Sequence, residues 1–211
     1  MPDQPLRVLL VEGRPERASA LARDLEEEGF VLAGVAGDGQ EACRACAIQA
    51  PDLVLMASDL PGSDGVQTTR VLMAQQPLPV VLMVEREDRA LLDRAQDAGV
   101  QSLLPAALGP AGLGPAGLGP ALELAYRNFG RESRLAGEVA ELREGLRQRK
   151  LLERAKGLLM EQRGLDEAAA LARLEEMARA QGCAPHQAAE ALVETQGLFN
   201  PARSRKTSRP A

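Results

Sequence analysis

Lysine and arginine side chains recur along one helical segment at spacings that place them in two rows. The rows are Arg149, Lys156 and Arg163 on one edge and Arg147, Lys150 and Arg154 on the other. Between them lies an apolar arc, predicted to pack against the two following helices, that consists of Leu151, Leu152, Ala155, Leu158 and Leu159. Because Lys and Arg bind phosphate oxygens, the rows are candidate contacts with a nucleic-acid backbone; a solvated helix face is the alternative.

Cys43 and Cys46 form a C-x-x-C pair, the spacing of a redox pair or of half a zinc site. The pair lies in an Ala-rich helical pattern with no second pair and no nearby His, so we interpret both as ordinary helix residues. The sequence predicts no metal site, no cofactor and no catalytic group. We therefore expect a non-enzymatic protein.

The first half of the chain alternates short apolar runs with segments of helical periodicity, the pattern of βαβ units. Strands are predicted at 7–11, 30–35, 52–57, 79–84 and 100–104, and helices near 14–28, 39–49, 65–76 and 87–98. The predicted fold is α/β, a doubly wound (βα)5 parallel sheet over residues 1–121. A coiled-coil helix and a small three-helix domain are predicted to follow it.

An apolar strand leads through Ala57 into Leu60-Pro61-Gly62-Ser63-Asp64-Gly65. This arrangement closely resembles the third strand and the following loop of a two-component receiver domain. The resemblance implies a phosphate-accepting aspartate at position 57, but an alanine methyl group cannot attack a phosphoryl group. Asp59 is the alternative acceptor, although it would lack the metal and lysine partners of the family's site.

The other positions that the resemblance assigns to phosphoryl chemistry have changed as well. Glu12 keeps one carboxylate of an expected acidic pair, and Gly13 replaces the other. Val84 stands where a Thr or Ser hydroxyl is expected, and Ala106 where a lysine is expected. Because Mg²⁺ needs near-octahedral oxygen ligation, we predict a degenerate phosphorylation site in a pseudo-receiver.

A Gly-Pro-Ala-Gly-Leu repeat predicts an expanded loop at 109–120, since both glycine and proline disfavour regular structure. A coiled-coil linker helix is predicted at 122–148. Its a/d seam has spacings of four, three and four and is formed by Leu135, Val139, Leu142 and Leu146. The seam favours a parallel homodimer. A monomeric helix packed on its own receiver is the alternative, because Gly137 and Gly145 weaken the helix.

The run Glu153-Arg154-Ala155-Lys156-Gly157-Leu158-Leu159-Met160, followed by Gly164-Leu165-Asp166-Glu167, closely resembles the ANTAR domain. The resemblance implies a three-helix RNA-binding module, which we place at 149–198. Asp166 is the expected N-cap of its second helix, 167–181, and a third helix is expected from Pro185 to about Thr195 with Gly197 as its stop. Residues 199–211 are predicted to be a disordered basic tail. The expected RNA-binding residues are Arg149, Lys150, Arg154, Lys156, Gly157, Arg163, Arg173 and Arg179.

The order of pseudo-receiver, coiled coil and ANTAR motif resembles the NasT-type regulators of nitrate assimilation. This resemblance implies a transcription antitermination regulator that binds paired stem-loops in leader RNA and acts on RNA polymerase indirectly. It also implies control by a sequestering, nitrate-binding sensor protein instead of phosphorylation. Glu175 and Glu176 stand where the family tends to carry basic residues and an aromatic. They favour an alternative, a heterodimerising interaction protein whose RNA face has decayed.

Charge and hydropathy narrow these possibilities. Residues 1–107 carry 9 Arg against 17 Asp and Glu, and residues 108–211 carry 16 Lys and Arg against 13 Asp and Glu. The second half is therefore the candidate for binding phosphates. Without a run of about 18 apolar residues or a signal pattern, we expect a cytoplasmic protein with no membrane partner. Ala57 and the lack of a helix-turn-helix pattern disfavour a phosphorylated DNA-binding regulator.

Overall fold

The computed structural model describes residues 4–85, 89–106 and 115–199 of the 211-residue chain. The chain divides into two compact units, residues 1–134 and residues 135–211. Within the described ranges, no helix is both long enough and apolar enough to cross a membrane.

The first unit is a five-stranded parallel sheet with helices between its strands. In chain order its elements are β1 (Arg7–Val11), α1 (Pro15–Glu27), β2 (Val31–Ala36), α2 (Gly39–Gln49), β3 (Leu53–Ala57), β4 (Asp59–Leu60), β5 (Ser63–Asp64), α3 (Gly65–Gln75), β6 (Val80–Val84), α4 (Arg89–Ala98) and β7 (Ser102–Pro105). The sheet has the strand order β2-β1-β3-β6-β7. This confirms the predicted doubly wound α/β fold, whose ligand crevice lies at the carboxyl ends of the strands.

The central strands β1, β3 and β6 are unbroken apolar runs, and their side chains from Val8 to Val11, from Leu53 to Ala57 and from Val80 to Val84 are buried. A parallel sheet carries helices on both faces, so both faces of a central strand must be apolar. The two-residue strands β4 and β5 form a small antiparallel hairpin that the sequence pattern did not predict. This hairpin holds the Leu-Pro-Gly-Ser-Asp-Gly segment against the carboxyl edge of the sheet.

Helix α5 (Pro115–Arg163) begins inside the Gly-Pro repeat, so the loop predicted at 109–120 is wrong for residues 115–120. The earlier part of that prediction, 109–114, lies outside the described residues. Pro115 is the first helical residue, where the missing amide would have no intrahelical partner. Pro120 costs the helix one hydrogen bond, but Leu118 and Leu122 pack against the core of the first unit. This burial outweighs the local composition.

The second unit packs the last part of α5 against α6 (Glu167–Gln181) and α7 (Pro185–Phe199). Its small core is built mostly from alanine and leucine side chains, namely Ala155, Leu159, Ala170, Leu174 and Ala189. Asp166 is the predicted N-cap of α6, and its Oδ1 accepts a hydrogen bond from the amide of Ala169 at 2.7 Å. The predicted stop at Gly197 is wrong because α7 continues to Phe199; a glycine weakens a helix interior without necessarily ending it.

Candidate functional site

The predicted phosphorylation positions lie at one edge of the sheet. Glu12 follows β1, Ala57 ends β3, Val84 ends β6 and Ala106 follows β7. These four strands are neighbours in a parallel sheet, so their carboxyl ends share an edge. Ala57 and Val84 are buried aliphatic groups there and offer neither a nucleophile nor a hydroxyl.

The carboxylate of Glu12 is almost completely buried and is neutralised by two guanidinium groups. Its Oε1 accepts hydrogen bonds from the amide of Arg14 at 3.0 Å and from the Nε of Arg14 at 3.2 Å. Its Oε2 lies 3.3 Å from the Nε of Arg17. Arg14 also donates from Nη1 to Glu85 at 2.8 Å, and hydrogen bonds to Glu85 and Glu12 raise the pKa of Arg14. The buried charge of Glu12 is therefore balanced by arginine, although Oε2 is only ion-paired with Arg17 and accepts no hydrogen bond in the described structure.

Gly13 stands where an acidic partner for Glu12 is expected, and its surroundings leave no room for a side chain. A Cβ atom at this position would lie 2.3 Å from Cδ and 2.5 Å from Cγ of Pro61. An acidic residue at position 13 would force the β4–β5 hairpin to move. Together with Ala57 and the arginine-paired Glu12, this packing does not fit a magnesium ion. The described residues contain no cluster of three His, Cys, Asp or Glu side chains that could hold a metal.

Arg17 connects this edge to the segment after β7, which the sequence did not predict. Its Nη2 donates a hydrogen bond to the carbonyl oxygen of Ala106 at 2.9 Å while its Nε pairs with Glu12. One guanidinium group thus joins the ends of two strands. Glu12 itself is the feature of the sequence from which an arginine partner could have been predicted, because a carboxylate directly after a buried strand needs a counter-charge.

Two further acidic residues lie at this edge: Asp59 is exposed, and Asp64 is hydrogen bonded and ion-paired. Asp59 is exposed and lines an open cleft of about 380 Å³ with Ser58, Glu85 and Arg94. Asp64 caps α3 by accepting from the amide of Val66 at 2.8 Å, and its other oxygen pairs with Arg94.

The predicted dimer seam on α5 is exposed in the single chain. The exposed fractions of Leu135, Val139, Leu142 and Leu146 lie between 44% and 69%. A row of large apolar side chains in water is unfavourable, so the seam is available to a partner helix. Dimerisation through it remains a prediction.

Four cations of α5 lie together on a second surface. A shallow depression of about 440 Å³ is lined by Arg143, Leu146, Arg147, Lys150, Leu151 and Arg154. Lys150 and Arg154 are predicted RNA-binding residues, whereas Arg143 is not among them. Arg149 and Arg163, also predicted to bind RNA, are exposed. The structure thus provides accessible cations for phosphate contact.

Lys156 is placed differently from the expectation. Its side chain is only 11% exposed, and its Nζ lies 2.8 Å from Oε1 of Glu153 and 2.8 Å from Oε1 of Glu167. The hydrogen bond to Glu153 raises the pKa of Lys156 most, and the hydrogen bond to Glu167 raises it further. The same bond to Lys156 lowers the pKa of Glu167. Seven-residue spacing placed Lys156 on a basic edge, but the first turn of α6 covers it. The ion pair with Glu167 joins α5 to the beginning of α6, a role for Lys156 that the spacing did not indicate, and its contact with RNA stays a prediction.

The other predicted RNA-binding residues are exposed. Arg173 forms an ion pair with Glu176 at 3.0 Å, and the Nε of Arg179 lies 3.4 Å from the carbonyl oxygen of Glu175. Gly157 is exposed inside α5, and a Cβ atom there would meet no atom within 4 Å. Internal packing therefore does not require glycine at this position.

Together the two units define the class of protein, a receiver fold joined through a long helix to a small helical unit. The model of the response regulator receiver domain matches residues 8–111, and that of the ANTAR domain matches residues 140–193. The ANTAR match begins before the boundary predicted at 149 and includes Arg143 and Arg147.

Protein relatives are similar to this chain over nearly its whole length or over a part of it. The transcriptional regulatory protein PdtaR of Mycobacterium tuberculosis (strain ATCC 25618 / H37Rv) is 37% identical over 193 residues, which cover 92% of each chain. The chain belongs to the ANTAR-domain response regulators. Protein-glutamate methylesterase/protein-glutamine glutaminase 2 of Cupriavidus metallidurans is 46% identical over 79 residues, 37% of this chain and 23% of that protein.

Solved structures resemble the first unit. The signal receiver domain of a modulated diguanylate cyclase from Desulfovibrio desulfuricans G20 has a TM-score of 0.54 at 27% identity and covers 61% of this chain and 99% of its own. The BeF3-activated receiver domain of Klebsiella pneumoniae RstA has a TM-score of 0.51 at 27% identity, covering 57% of this chain and 98% of its own.

Proposed function

We propose that this protein is a cytoplasmic transcription antitermination regulator that binds paired stem-loops in leader RNA. The observation that carries the proposal is the group of exposed cations on α5, which lies within the residues matched by the ANTAR model. Clustered Lys and Arg side chains supply the sequence-independent part of RNA affinity. The protein acts on RNA polymerase indirectly, through the structure of the transcript.

A homodimer provides the two binding faces that paired stem-loops require. The exposed seam from Leu135 to Leu146 supports this step. In the heptad that the seam defines, Glu138 occupies a g position and Arg143 an e position. Their separation of five residues is that of interhelical ion pairs in parallel coiled coils, so the charges favour the parallel arrangement.

Control by a partner protein replaces phosphorylation in this proposal. Its support is the edge of the sheet, where Ala57 offers no acceptor, Pro61 fills the space beside Gly13, and Arg14 and Arg17 occupy the carboxylate of Glu12. The partner is a sequestering, nitrate-binding sensor, and the targets are genes of nitrate or nitrite assimilation. These two assignments rest on the resemblance to the NasT-type regulators.

The test is selection of RNA by the full-length protein. A pool of transcripts with two constant stems and randomised loops is selected, and the selected RNA is compared with single stem-loops and with duplex DNA. We expect the paired stem-loop RNA to bind much more tightly than either. Failure to enrich any RNA, or equal binding of duplex DNA, would refute the proposed function.

A protein-interaction regulator with a decayed RNA face is the second candidate. Glu175 and Glu176 favour it, because both are exposed on α6 and Glu176 pairs with Arg173. Carboxylates at an RNA surface repel phosphates. If the selection yields no RNA while a heterodimer forms through the seam, this candidate replaces the first.

A further inference from the structure

The four cations of the depression on α5 form one continuous row. Arg143, Arg147, Lys150 and Arg154 are separated by four, three and four residues, so they fall within about 60° of arc around the helix axis. With a rise of 1.5 Å per residue, the row is about 16 Å long. It can therefore meet several phosphates of one nucleic-acid strand.

The row lies between the two apolar surfaces of the helix. Leu146, on one side of the depression, belongs to the predicted dimer seam, and Leu151, on the other side, begins the apolar arc toward the three-helix core. A partner helix on the seam would leave Arg147, Lys150 and Arg154 in water, whereas Arg143, at an e position, would lie at the border between the row and the dimer seam. All four cations are exposed in the described structure.

One carboxylate from a neighbouring helix reaches this row. Oε1 of Glu190, on α7, lies 2.6 Å from Nη2 of Arg147. Glu144, on α5 itself, lies further from Arg147, at 3.9 Å. Arg147 is thus paired with an anionic group on another helix of the same unit.

We infer that Arg143 extends the basic row of Arg147, Lys150 and Arg154 by one helical turn toward the N-terminus of α5, and that Glu190 competes with RNA phosphate for Arg147. The inference rests on the proposed function and adds to it a phosphate-binding row together with a residue that limits its affinity. Glu190 holds Arg147 in an ion pair before RNA binds. When a phosphate arrives, it must displace the carboxylate, and this exchange lowers the net gain from the contact.

The experiment measures binding of the selected two-stem-loop RNA to full-length variants across a salt series. Arg143→Gln and Arg147→Gln are compared with Arg131→Gln, which removes the same charge from α5 outside the row. Glu190→Gln is compared with Glu194→Gln, one turn further along α7. Circular dichroism verifies that each variant is folded, and light scattering verifies that Arg143→Gln keeps the oligomeric state of the wild type.

We expect Arg143→Gln and Arg147→Gln each to weaken binding about threefold to tenfold and to lower the salt slope by about one. Arg131→Gln should leave both quantities unchanged. Glu190→Gln should strengthen binding about threefold, and this gain should vanish in the Arg147→Gln background, because the competition needs Arg147.

The outcomes separate the two levels of the proposal. If the wild type selects no RNA, the proposed function itself fails. If the wild type binds RNA but Arg143→Gln and Arg147→Gln resemble Arg131→Gln, only the extended row is overturned. If Glu190→Gln gives no more than Glu194→Gln, or keeps its gain without Arg147, the competition is overturned.

Discussion

Replacing Gly157 with alanine should move stability and RNA binding in opposite directions. Gly157 is exposed, it lies inside α5, and an added Cβ atom would meet nothing within 4 Å. Its φ is not among the positive values of the described glycines, so alanine fits the backbone. Alanine is favoured over glycine in a helix by about 0.5–1 kcal/mol. For a unit of this size the melting temperature should rise by roughly 2–8 °C.

The same methyl group should weaken RNA binding if Gly157 is a place where RNA approaches the helix backbone. A methyl group held between two surfaces would separate them, and we expect affinity to fall about tenfold, equivalent to about 1.4 kcal/mol. Stability is measured by thermal unfolding of the full-length protein, monitored by circular dichroism. Affinity is measured with the selected two-stem-loop RNA.

Gly137→Ala is the matched control. Gly137 also lies inside α5 with open space around its Cβ position, and it occupies an outward f position of the predicted heptad. It should raise the melting temperature without changing RNA affinity. If Gly157→Ala is more stable and binds RNA as well as the wild type, Gly157 does not belong to the interface. A lower melting temperature would refute the open space deduced from the structure.

Four further predictions address the other parts of the molecule. Incubation with acetyl phosphate and Mg²⁺ should add no phosphoryl group, as judged by intact mass, and a stoichiometric adduct at Asp59 would contradict this. Leu142→Glu should give a monomer by light scattering, because it puts a charge into the apolar seam, whereas an RNA-bound wild type of monomer mass would exclude the seam. Lys156→Gln should lower the melting temperature of the second unit, whereas Lys150→Gln should lower only RNA affinity; equal effects would refute the structural role of Lys156. Since the pKa of Glu167 is lowered from 4.5, its pair with Lys156 should stabilise the unit above that pH and lose this effect as pH falls through the lowered pKa, and Glu167→Gln should remove that part of the acid sensitivity.

The parallel sheet was predictable because its central strands are buried on both faces. Runs such as Val80–Val84 must then be apolar without interruption, and such runs are visible in a sequence. The β4–β5 hairpin was not predictable in this way, since two-residue strands have no periodicity. The start of α5 at Pro115 was missed for another reason. Local composition argued against a helix, whereas the deciding energy comes from Leu118 and Leu122 packing on a distant part of the chain.

The candidate RNA surface shows the same limit. Helical spacing located Lys150 and Arg154 on the row where the structure has them. Residue spacing does not reveal which part of a helix is covered by another helix. For this reason Lys156 was grouped with exposed cations, although it is nearly buried and pairs with Glu167 of α6. It also could not reveal Glu190, which reaches Arg147 from 43 residues further along the chain.

Glu12 shows how a receiver fold can hold a buried acidic residue when the neighbouring positions, Gly13 and Ala57, carry no carboxylate. A buried carboxylate without a counter-charge is strongly destabilising, and Gly13 and Ala57 offer no ligands that could help Glu12 to hold a cation, so side chains must balance its charge. Arg14 and Arg17 supply the counter-charge, and Arg17 also reaches the carbonyl of Ala106, beside the position of the missing lysine. Such a network is made of side chains that are always present, in contrast to a phosphoryl group that comes and goes. A unit held in this way favours regulation by a partner that recognises its surface, which is the form of control that we propose.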